Sequence, residues 1–212
     1  MQDITDNCMD RSGFTPVSRI VPDAVQEIRY HFSYNFVGAP IDGYEAPVAL
    51  MTIPAAEALR RASDRIVRQG YRFKIFDAYR PRRAVRHFVR WLESDDERMK
   101  PYFYPEMDKK TLIEEEFIAR YSGHCRGSTL DVTLIDMMSG REVDMGGPFD
   151  FFGLKSYSAC TDGLTEAQLD GRKRLRETML ECGFHAIITE WWHYTLDDEP
   201  YPNTYFDFPV RI

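Results

Sequence analysis

The sequence predicts an α+β fold in one globular unit. Stretches with apolar residues at helical spacing alternate with short stretches in which apolar and polar residues alternate, as in half-buried strands. Aromatic residues, which favour sheets, make up 14% of the chain. A length of 212 residues suits one domain with a sizeable core, and no repeat or linker divides the sequence.

The charge and the cysteines argue against several classes of protein. A net charge of -7 speaks against a nucleic-acid partner, because phosphate binding needs a basic surface. The four cysteines are scattered without a C-x-x-C pair, which argues against a thiolate zinc site and a disulfide scaffold. Residues 1–20 lack a signal-peptide core, and no run approaches the ~18 apolar residues that span a bilayer. We therefore expect a cytoplasmic protein without a membrane partner, although a trimmed periplasmic chain would look the same. A homo-oligomer is left open.

The first part of the chain is predicted to be extended. Residues 1–23 contain two prolines and are expected to form an arm that leads into a short strand near residues 25–30. The aromatic stretch at 32–38 is then predicted to form a loop. Its rings either line a pocket or cover the core.

A helix, a strand and a second helix follow. Pro54 is typical of a first helical position, and Gly70 marks the end of that helix. Residues 71–76 alternate like a strand with one buried face, and the helix after Pro81 carries apolar residues on one face. Arg80 thus falls at a strand-to-helix junction, where enzymes commonly present functional side chains.

The remaining elements are predicted from the same signals. They are a helix at 109–120, a strand at 130–135, a hairpin strand at 141–145, a helix opened by a capping box at Thr165 and ended by Gly183, a strand at 184–189, and a packed tail at 200–212.

Two stretches about sixty residues apart predict one zinc site. His124 and Asp131 lie in the first stretch and His193 in the second. Zinc in a hydrolase takes three ligands of these types and leaves a fourth position for water. Each histidine taken alone could be a hydrogen-bonded structural residue. Asp131 inside an apolar strand is harder to explain in that way, because a buried carboxylate needs a cation or several donors.

Glu190 is the predicted general base, since a carboxylate near the metal can take the proton of an attacking water. It lies three residues before His193. On a regular strand that spacing sends the two side chains to opposite faces. We therefore predict a bulge or tight turn near Trp191 and Trp192 that brings both groups to the same metal.

Three further residues have competing interpretations. Arg80 either is a surface arginine or stabilises the oxyanion of a tetrahedral intermediate beside the metal. Asp150 either binds a substrate ammonium or is a turn residue. Cys125, next to His124, is expected to take no part, because neighbouring residues rarely both reach one ion.

The order of motifs resembles the zinc D-alanyl-D-alanine dipeptidases of the VanX type. The resemblance covers nearly the whole chain from about residue 24 onward. It rests on Ser-x-His-x-x-Gly-x-x-x-Asp at 122–131, Glu-Trp-Trp-His at 190–193, Asp-Gly-Tyr-Glu at 42–45, Asp-Ala-Tyr-Arg-Pro at 77–81, Met-Gly at 145–146, Phe-Asp-Phe at 149–151 and the closing motifs at 198–203 and 206–209.

The resemblance implies a single-domain α+β fold with a central, mainly antiparallel sheet flanked by helices, shared with D,D-carboxypeptidases and the Hedgehog signalling domain. It implies an N-terminal arm at 1–23, a catalytic domain at 24–212, one Zn²⁺ per chain and hydrolysis of the small molecule D-Ala-D-Ala. By matching position it implies zinc ligands, a base, a transition-state arginine, an aspartate near the substrate amino end and a serine near the substrate carboxylate: His124, Asp131 and His193, Glu190, Arg80, Asp150 and Ser122. Gly123 and Cys125 depart from the family, which has serines there.

Two other functions compete with the dipeptidase. A D,D-carboxypeptidase on peptidoglycan peptides would need an open groove. A non-catalytic, zinc-stabilised binding domain would lack the base or the arginine. The sequence also leaves open whether the reaction serves vancomycin-type resistance, D-alanine salvage or cell-wall turnover.

Overall fold

Across residues 4–115 and 117–212, which the computed structural model describes, nine strands form three sheets. In chain order they are β1 (Thr5–Cys8), β2 (Phe14–Pro16), β3 (Val25–Gln26), β4 (Leu50–Thr52), β5 (Tyr71–Asp77), β6 (Thr129–Asp136), β7 (Phe184–Ala186), β8 (His193–Leu196) and β9 (Thr204–Phe206).

Helices connect these strands. They are α1 (Val17–Ile20), α2 (Ile53–Arg68), α3 (Arg82–Leu92), α4 (Lys100–Phe103), α5 (Lys109–Glu114) and α6 (Glu166–Leu180), with short 3-10 turns at Arg29–His31, Gly123–Arg126 and Leu154–Ser156. The helices predicted after Pro54, Pro81 and Thr165 are confirmed as α2, α3 and α6. The capping box of α6 is formed between Thr165 and Gln168.

The main sheet has the strand order β3-β5-β6-β8-β7. β3 runs parallel to β5, whereas the other neighbouring strands are antiparallel. The two long helices α2 and α6 contact this sheet and each other. The predicted α+β fold with a mainly antiparallel sheet flanked by helices is confirmed.

The register of this sheet places polar residues side by side on three strands. Asp77 on β5 pairs with Asp131 on β6, and Asp131 pairs with His193 on β8. The β5–β6 register shifts between Ile75 and Asp77. Bulges of this kind are common next to active sites, where they re-aim a side chain.

Three predicted elements are shorter than the sequence suggests. The helix predicted at 109–120 ends at Glu114, because the chain folds back so that the Ile118 amide donates to the Leu112 carbonyl at 3.1 Å. The strand predicted at 184–189 ends at Ala186. It pairs with only three residues of β8, since the chain must leave the sheet to form the turn before His193. The hairpin at 141–145 is reduced to one bridge, between Ile135 and Glu142.

The first and last segments of the chain are joined. β1 pairs in parallel with β9, and β2 pairs with β4, so the segment predicted as an arm contains two strands. Val17 and Val21 of that segment lie in the hydrophobic core. The tail packs across the domain as predicted, with Phe206 and Phe208 buried. The division at residue 23 stays a prediction.

Candidate active site

Three neighbouring elements bring the predicted metal ligands together. His124 lies in the 3-10 turn at Gly123–Arg126, which ends at Gly127 with a positive φ of 82°. Asp131 lies on β6, and His193 is the first residue of β8. One donor atom from each of the three side chains lies within 4.8 Å of the others.

The donor atoms of these three side chains lie very close to one another. Nε2 of His124 lies 3.3 Å from Oδ2 of Asp131 and 3.3 Å from Nδ1 of His193. Oδ1 of Asp131 lies 3.2 Å from Nδ1 of His193. Two imidazole nitrogens and one carboxylate therefore converge on the same point, where His124 and Asp131 are buried and His193 is partly exposed.

The other ring nitrogen of His124 fixes its tautomer. Nδ1 donates to the Ala78 carbonyl at 2.7 Å. A carbonyl can only accept, so Nδ1 carries the proton and Nε2 presents its lone pair to the group. Such outer hydrogen bonds orient metal-binding histidines.

The electrostatics of the group suit a divalent cation. In the part of the chain that the structure describes, Oδ1 of Asp131 is buried and makes no hydrogen bond of good geometry, although Nδ1 of His193 lies 3.2 Å away. This arrangement is costly unless a cation compensates it. Burial lowers the pKa of His193, but the carboxylates of Asp131 and Glu190 outweigh it and raise the pKa to about 9. The site thus attracts positive charge, and its donor set is one that Zn²⁺ uses.

A turn in the chain places the Glu190 carboxylate beside the candidate metal ligands. Its Oε2 lies 3.4 Å from Nδ1 of His193, and the His193 amide faces the Glu190 carbonyl at 3.4 Å. The Trp192 carbonyl accepts from the Val132 amide, so regular pairing with β6 resumes just before His193. The tight turn predicted at Trp191 and Trp192 is confirmed.

Arg80 lies just beyond β5 and is held by a carboxylate. Its Nε donates to Oδ2 of Asp77 at 2.9 Å, and a terminal nitrogen lies 3.5 Å from Oδ2 of Asp131. Asp77 in turn accepts from the Tyr44 hydroxyl at 2.6 Å. Arg80 also lies over the Tyr30 ring, 5.0 Å from its centroid. The alternative of a surface arginine is wrong, because only 12% of the side chain is exposed.

Asp150 is buried and has an unusual backbone. Its φ is 62°, a left-handed conformation that non-glycine residues seldom adopt and that often marks functional sites. Its carboxylate accepts from the Tyr30 hydroxyl at 3.0 Å. Burial, followed by the charge of Asp131, raises the pKa of Asp150 well above its usual range.

One small cavity gathers all these side chains. It measures about 140 Å³, below the ~300–1,000 Å³ of pockets for drug-sized ligands. All seven predicted site residues line it: Arg80, Ser122, His124, Asp131, Asp150, Glu190 and His193.

Some residues of the site were not predicted from the sequence. Tyr30 gives no sequence signal, because its partner Asp150 lies 120 positions away. Tyr44 and Asp77 lie in motifs of the family resemblance, but the sequence assigned them no role in the site. In the aromatic loop, Phe36 lines the cavity and also belongs to the core, whereas Phe32 and Tyr34 are exposed.

Cys125 and Gly123 lie beside the ligands without joining them. Cys125 is outside the His124–Asp131–His193 group, and burial raises the pKa of its thiol to about 12. A Cβ at Gly123 would come within 2.9 Å of Oγ1 of Thr129, so the neighbouring side chain would have to move for any other residue.

Comparisons with known proteins agree over most of the chain. The family model described as D-Ala-D-Ala dipeptidase matches residues 10–211. A D-alanyl-D-alanine dipeptidase of Enterococcus faecium is 40% identical over 94% of this chain and 98% of its own. Proteins of the same name from Streptomyces coelicolor and Escherichia coli are 39% and 28% identical, over 90% and 88% of this chain and 96% and 86% of theirs.

A solved structure is a more distant likeness. It is a vancomycin resistance D,D-pentapeptidase, a VanY variant in complex with Zn(II), with 13% identity and a TM-score of 0.42 over 74% of this chain and 78% of that one.

The fold, the site and these relatives define a zinc metallopeptidase. Within that class, the chain belongs to the D-alanyl-D-alanine dipeptidase family. In the described part of the chain, no helix is long and apolar enough to cross a membrane.

Proposed function

We propose that this protein hydrolyses the free dipeptide D-Ala-D-Ala to two D-alanines. The observation that carries the proposal is a small cavity that the candidate zinc ligands, the base, the arginine and two candidate substrate-binding residues all line. The relatives are named for this substrate.

The two ends of a dipeptide would be held by different residues. Asp150 is the candidate for the substrate ammonium: an ammonium would supply the positive charge that this buried carboxylate lacks. Ser122 is the candidate for the substrate carboxylate, and its Oγ already accepts from the His124 amide at 3.3 Å. A cavity of about 140 Å³ fits a substrate with two methyl side chains better than a long peptide.

His124, Asp131 and His193 would hold the zinc ion. The orphaned oxygen of Asp131 and the lone pair of His124 support this assignment. When bound, Zn²⁺ makes water a better nucleophile at neutral pH and polarises the scissile carbonyl.

Glu190 would move the proton. Its carboxylate, beside His193, would accept a proton from the attacking water and then pass it to the nitrogen of the leaving D-alanine. The proton thus stays on one side chain between bond formation and bond cleavage.

Arg80 would stabilise the negative charge on the reacting carbonyl oxygen. Asp77 holds its Nε, so a terminal nitrogen remains directed toward the group. Donors that are fixed before the reaction are effective because they need no reorganisation in the transition state.

The test compares three substrates. Zinc-loaded protein should release D-alanine from D-Ala-D-Ala but not cleave L-Ala-L-Ala or a pentapeptide that ends in D-Ala-D-Ala. Cleavage of the pentapeptide instead would assign a D,D-carboxypeptidase, and silence on all three with zinc bound would assign a binding domain. The same reaction could serve vancomycin-type resistance, D-alanine salvage or cell-wall turnover.

A further inference from the structure

Strand β1 pairs with β9, but the pairing is interrupted in the middle of β1. The register pairs Thr5 with Thr204 and Cys8 with Phe206 and shifts between them. Asn7 has a φ of 58°, a left-handed conformation that asparagine tolerates better than most residues. Asp6 and Asn7 lie at this interruption, and their side chains contact helix α3.

Asp6 and Asn7 bind two arginines one turn apart on α3. Oδ1 and Oδ2 of Asp6 accept from Nε and a terminal nitrogen of Arg82 at 2.8 and 3.3 Å. Oδ1 of Asn7 accepts from Arg86 at 2.7 Å. Only 9% of the Arg82 side chain is exposed, so its pairing with Asp6 is shielded from solvent on the arginine side.

Arg82 also contacts residues 120–121 and so connects Asp6 to them. Its other terminal nitrogen donates to the Arg120 carbonyl at 2.6 Å. Its guanidinium lies 4.3 Å from the centroid of the Tyr121 ring. Tyr205 of β9 meets the same ring edge-on at 5.1 Å. Both strands of the β1–β9 pair therefore reach Tyr121, one through Arg82 and one directly.

The segment at 118–122, which we call the cavity wall, has no regular secondary structure of its own. Tyr121 and Ser122 line the active-site cavity immediately before the 3-10 turn that carries His124. A segment without ladder or helix hydrogen bonds is positioned by its side-chain and carbonyl contacts. Arg82 supplies one contact of each kind.

We propose that Asp6 is a positioning residue for substrate binding: through Arg82 it holds the cavity wall in the conformation that binds the dipeptide carboxylate. This role rests on the proposed function, which places that carboxylate at Ser122. Without Asp6, the shielded guanidinium of Arg82 loses its carboxylate and turns toward solvent. The wall then spends less time in the binding conformation, and the apparent affinity falls by the lost fraction.

Kinetics of the full-length, zinc-loaded protein test this role. Asp6→Ala should raise KM for D-Ala-D-Ala by about 3–10-fold with kcat within about twofold, because the wall contacts substrate and not the proton-transfer residues. Asp6→Glu should restore most of the affinity. Asp10→Ala is the matched control, since Asp10 lies in the same segment and its exposed carboxylate accepts from the Ser12 amide two residues away.

Limited trypsin digestion gives a readout that does not depend on activity. Arg120 is exposed, so cleavage after it reports how often the wall opens. Asp6→Ala should be cut there several times faster than the wild type and Asp10→Ala, with bound zinc unchanged.

Two results would overturn the role. Unchanged KM and unchanged cleavage at Arg120 in Asp6→Ala would show that the wall does not depend on Asp6. A parallel fall of kcat and zinc content that Asp6→Glu fails to rescue would show a merely structural contribution. Wild-type protein that is silent on D-Ala-D-Ala would instead remove the proposed function, and this role with it.

Discussion

Oδ2 of Asp77 accepts a hydrogen bond from Nε of Arg80 at 2.9 Å, at the point where β5 ends. Asp77 is fully buried, and its second oxygen is bound by the Tyr44 hydroxyl. The arginine thus has one side fixed and the other free to face the cavity.

Replacing Asp77 should impair the reaction more than substrate binding. Asp77→Asn removes the charged acceptor, so Arg80 is no longer held toward the reacting oxygen, and we expect kcat to fall by about 10–100-fold. Tyr44→Phe should have a smaller effect, because it leaves the Arg80 contact in place. Steady-state kinetics check this. Asp23→Asn is the control, since Asp23 pairs with Arg60 on the surface. Wild-type kcat in Asp77→Asn would contradict the prediction.

Glu190→Gln should separate catalysis from metal binding. The amide cannot accept the proton of water, so kcat should drop by roughly 10²–10⁴-fold while one zinc ion stays bound. Metal analysis and kinetics on the same sample check both parts. Glu57→Gln, on the exposed face of α2, should behave like the wild type. Full activity in zinc-bound Glu190→Gln would exclude the assigned base.

Zinc should stabilise the folded protein through His124 and His193. Adding zinc at 100 times its Kd to chelated wild type contributes about 2.7 kcal/mol, which raises the Tm by roughly 5–10 °C for a chain of this size. His124→Ala and His193→Ala should lose most of this shift, whereas His185→Ala, an exposed residue paired with Asp197, should keep it. Thermal unfolding with and without zinc makes the comparison. An undiminished shift in both ligand variants would place the metal elsewhere.

Asp150 should matter for the free amino end of the substrate. Losing a charged hydrogen bond to an ammonium should lower kcat/KM of Asp150→Asn for D-Ala-D-Ala by about 10–100-fold. The variant should also discriminate less between this dipeptide and its N-acetyl derivative, which lacks the charge. Asp144→Asn, outside the cavity, is the control. Unchanged discrimination in Asp150→Asn would assign the ammonium to another residue.

Asp150→Asn, which should lower activity, should raise the stability of the metal-free protein. Burial raises the pKa of Asp150 in the folded protein, so the folded state binds more protons than the unfolded chain above the ordinary pKa of about 4. Asp150 therefore destabilises the fold increasingly as pH rises from there. Metal-free Asp150→Asn should unfold at a higher temperature than metal-free wild type at pH 7. The difference between the two unfolding temperatures should become smaller toward pH 4.

The contribution of Asp207 to stability should depend on pH in the opposite direction to that of Asp150. It accepts from the Arg83 amide at 2.6 Å and from Arg86 at 2.6 Å. Burial alone would raise its pKa, but these donors outweigh it, and the pKa is lowered. Its contribution is therefore complete above the ordinary pKa of about 4 and is lost as pH falls below it.

Asp207→Asn should accordingly cost about 1–3 kcal/mol of unfolding free energy at pH 7. Its deficit relative to the wild type should shrink by pH 3. Urea unfolding at the two pH values measures the difference, and an equal deficit at both would argue against a contribution from the charge.

The residues of the site were predictable where chemistry leaves few alternatives. Asp131 in an apolar strand needs a cation, and the odd spacing of Glu190 and His193 on a strand requires a turn. The family resemblance then suggested the roles proposed for Arg80, Ser122 and Asp150. These arguments use local sequence, which is why they led to the three candidate ligands and the turn.

The supporting residues could not be predicted in this way. Tyr30 meets Asp150 across 120 positions, and Tyr44 meets Asp77 across 33. The end of α5 was missed for a related reason: the apolar pattern continues, but Phe117 and Ile118 are used to line the cavity and not to extend a helix. Tertiary contacts override local propensity at such positions.

The pairing of β1 with β9 also has a consequence for the order of events during synthesis. Residues 5–8 emerge from the ribosome about 200 residues before their partners at 204–206, so closing this contact carries the entropy of a very long loop. At ordinary translation rates the delay is roughly 10–40 s. The nascent protein can pair β5 with β6 in that interval, but it cannot bring Asp6 and Tyr205 together on Tyr121. The proposed contribution of Asp6 to substrate binding should therefore arise only at the end of synthesis.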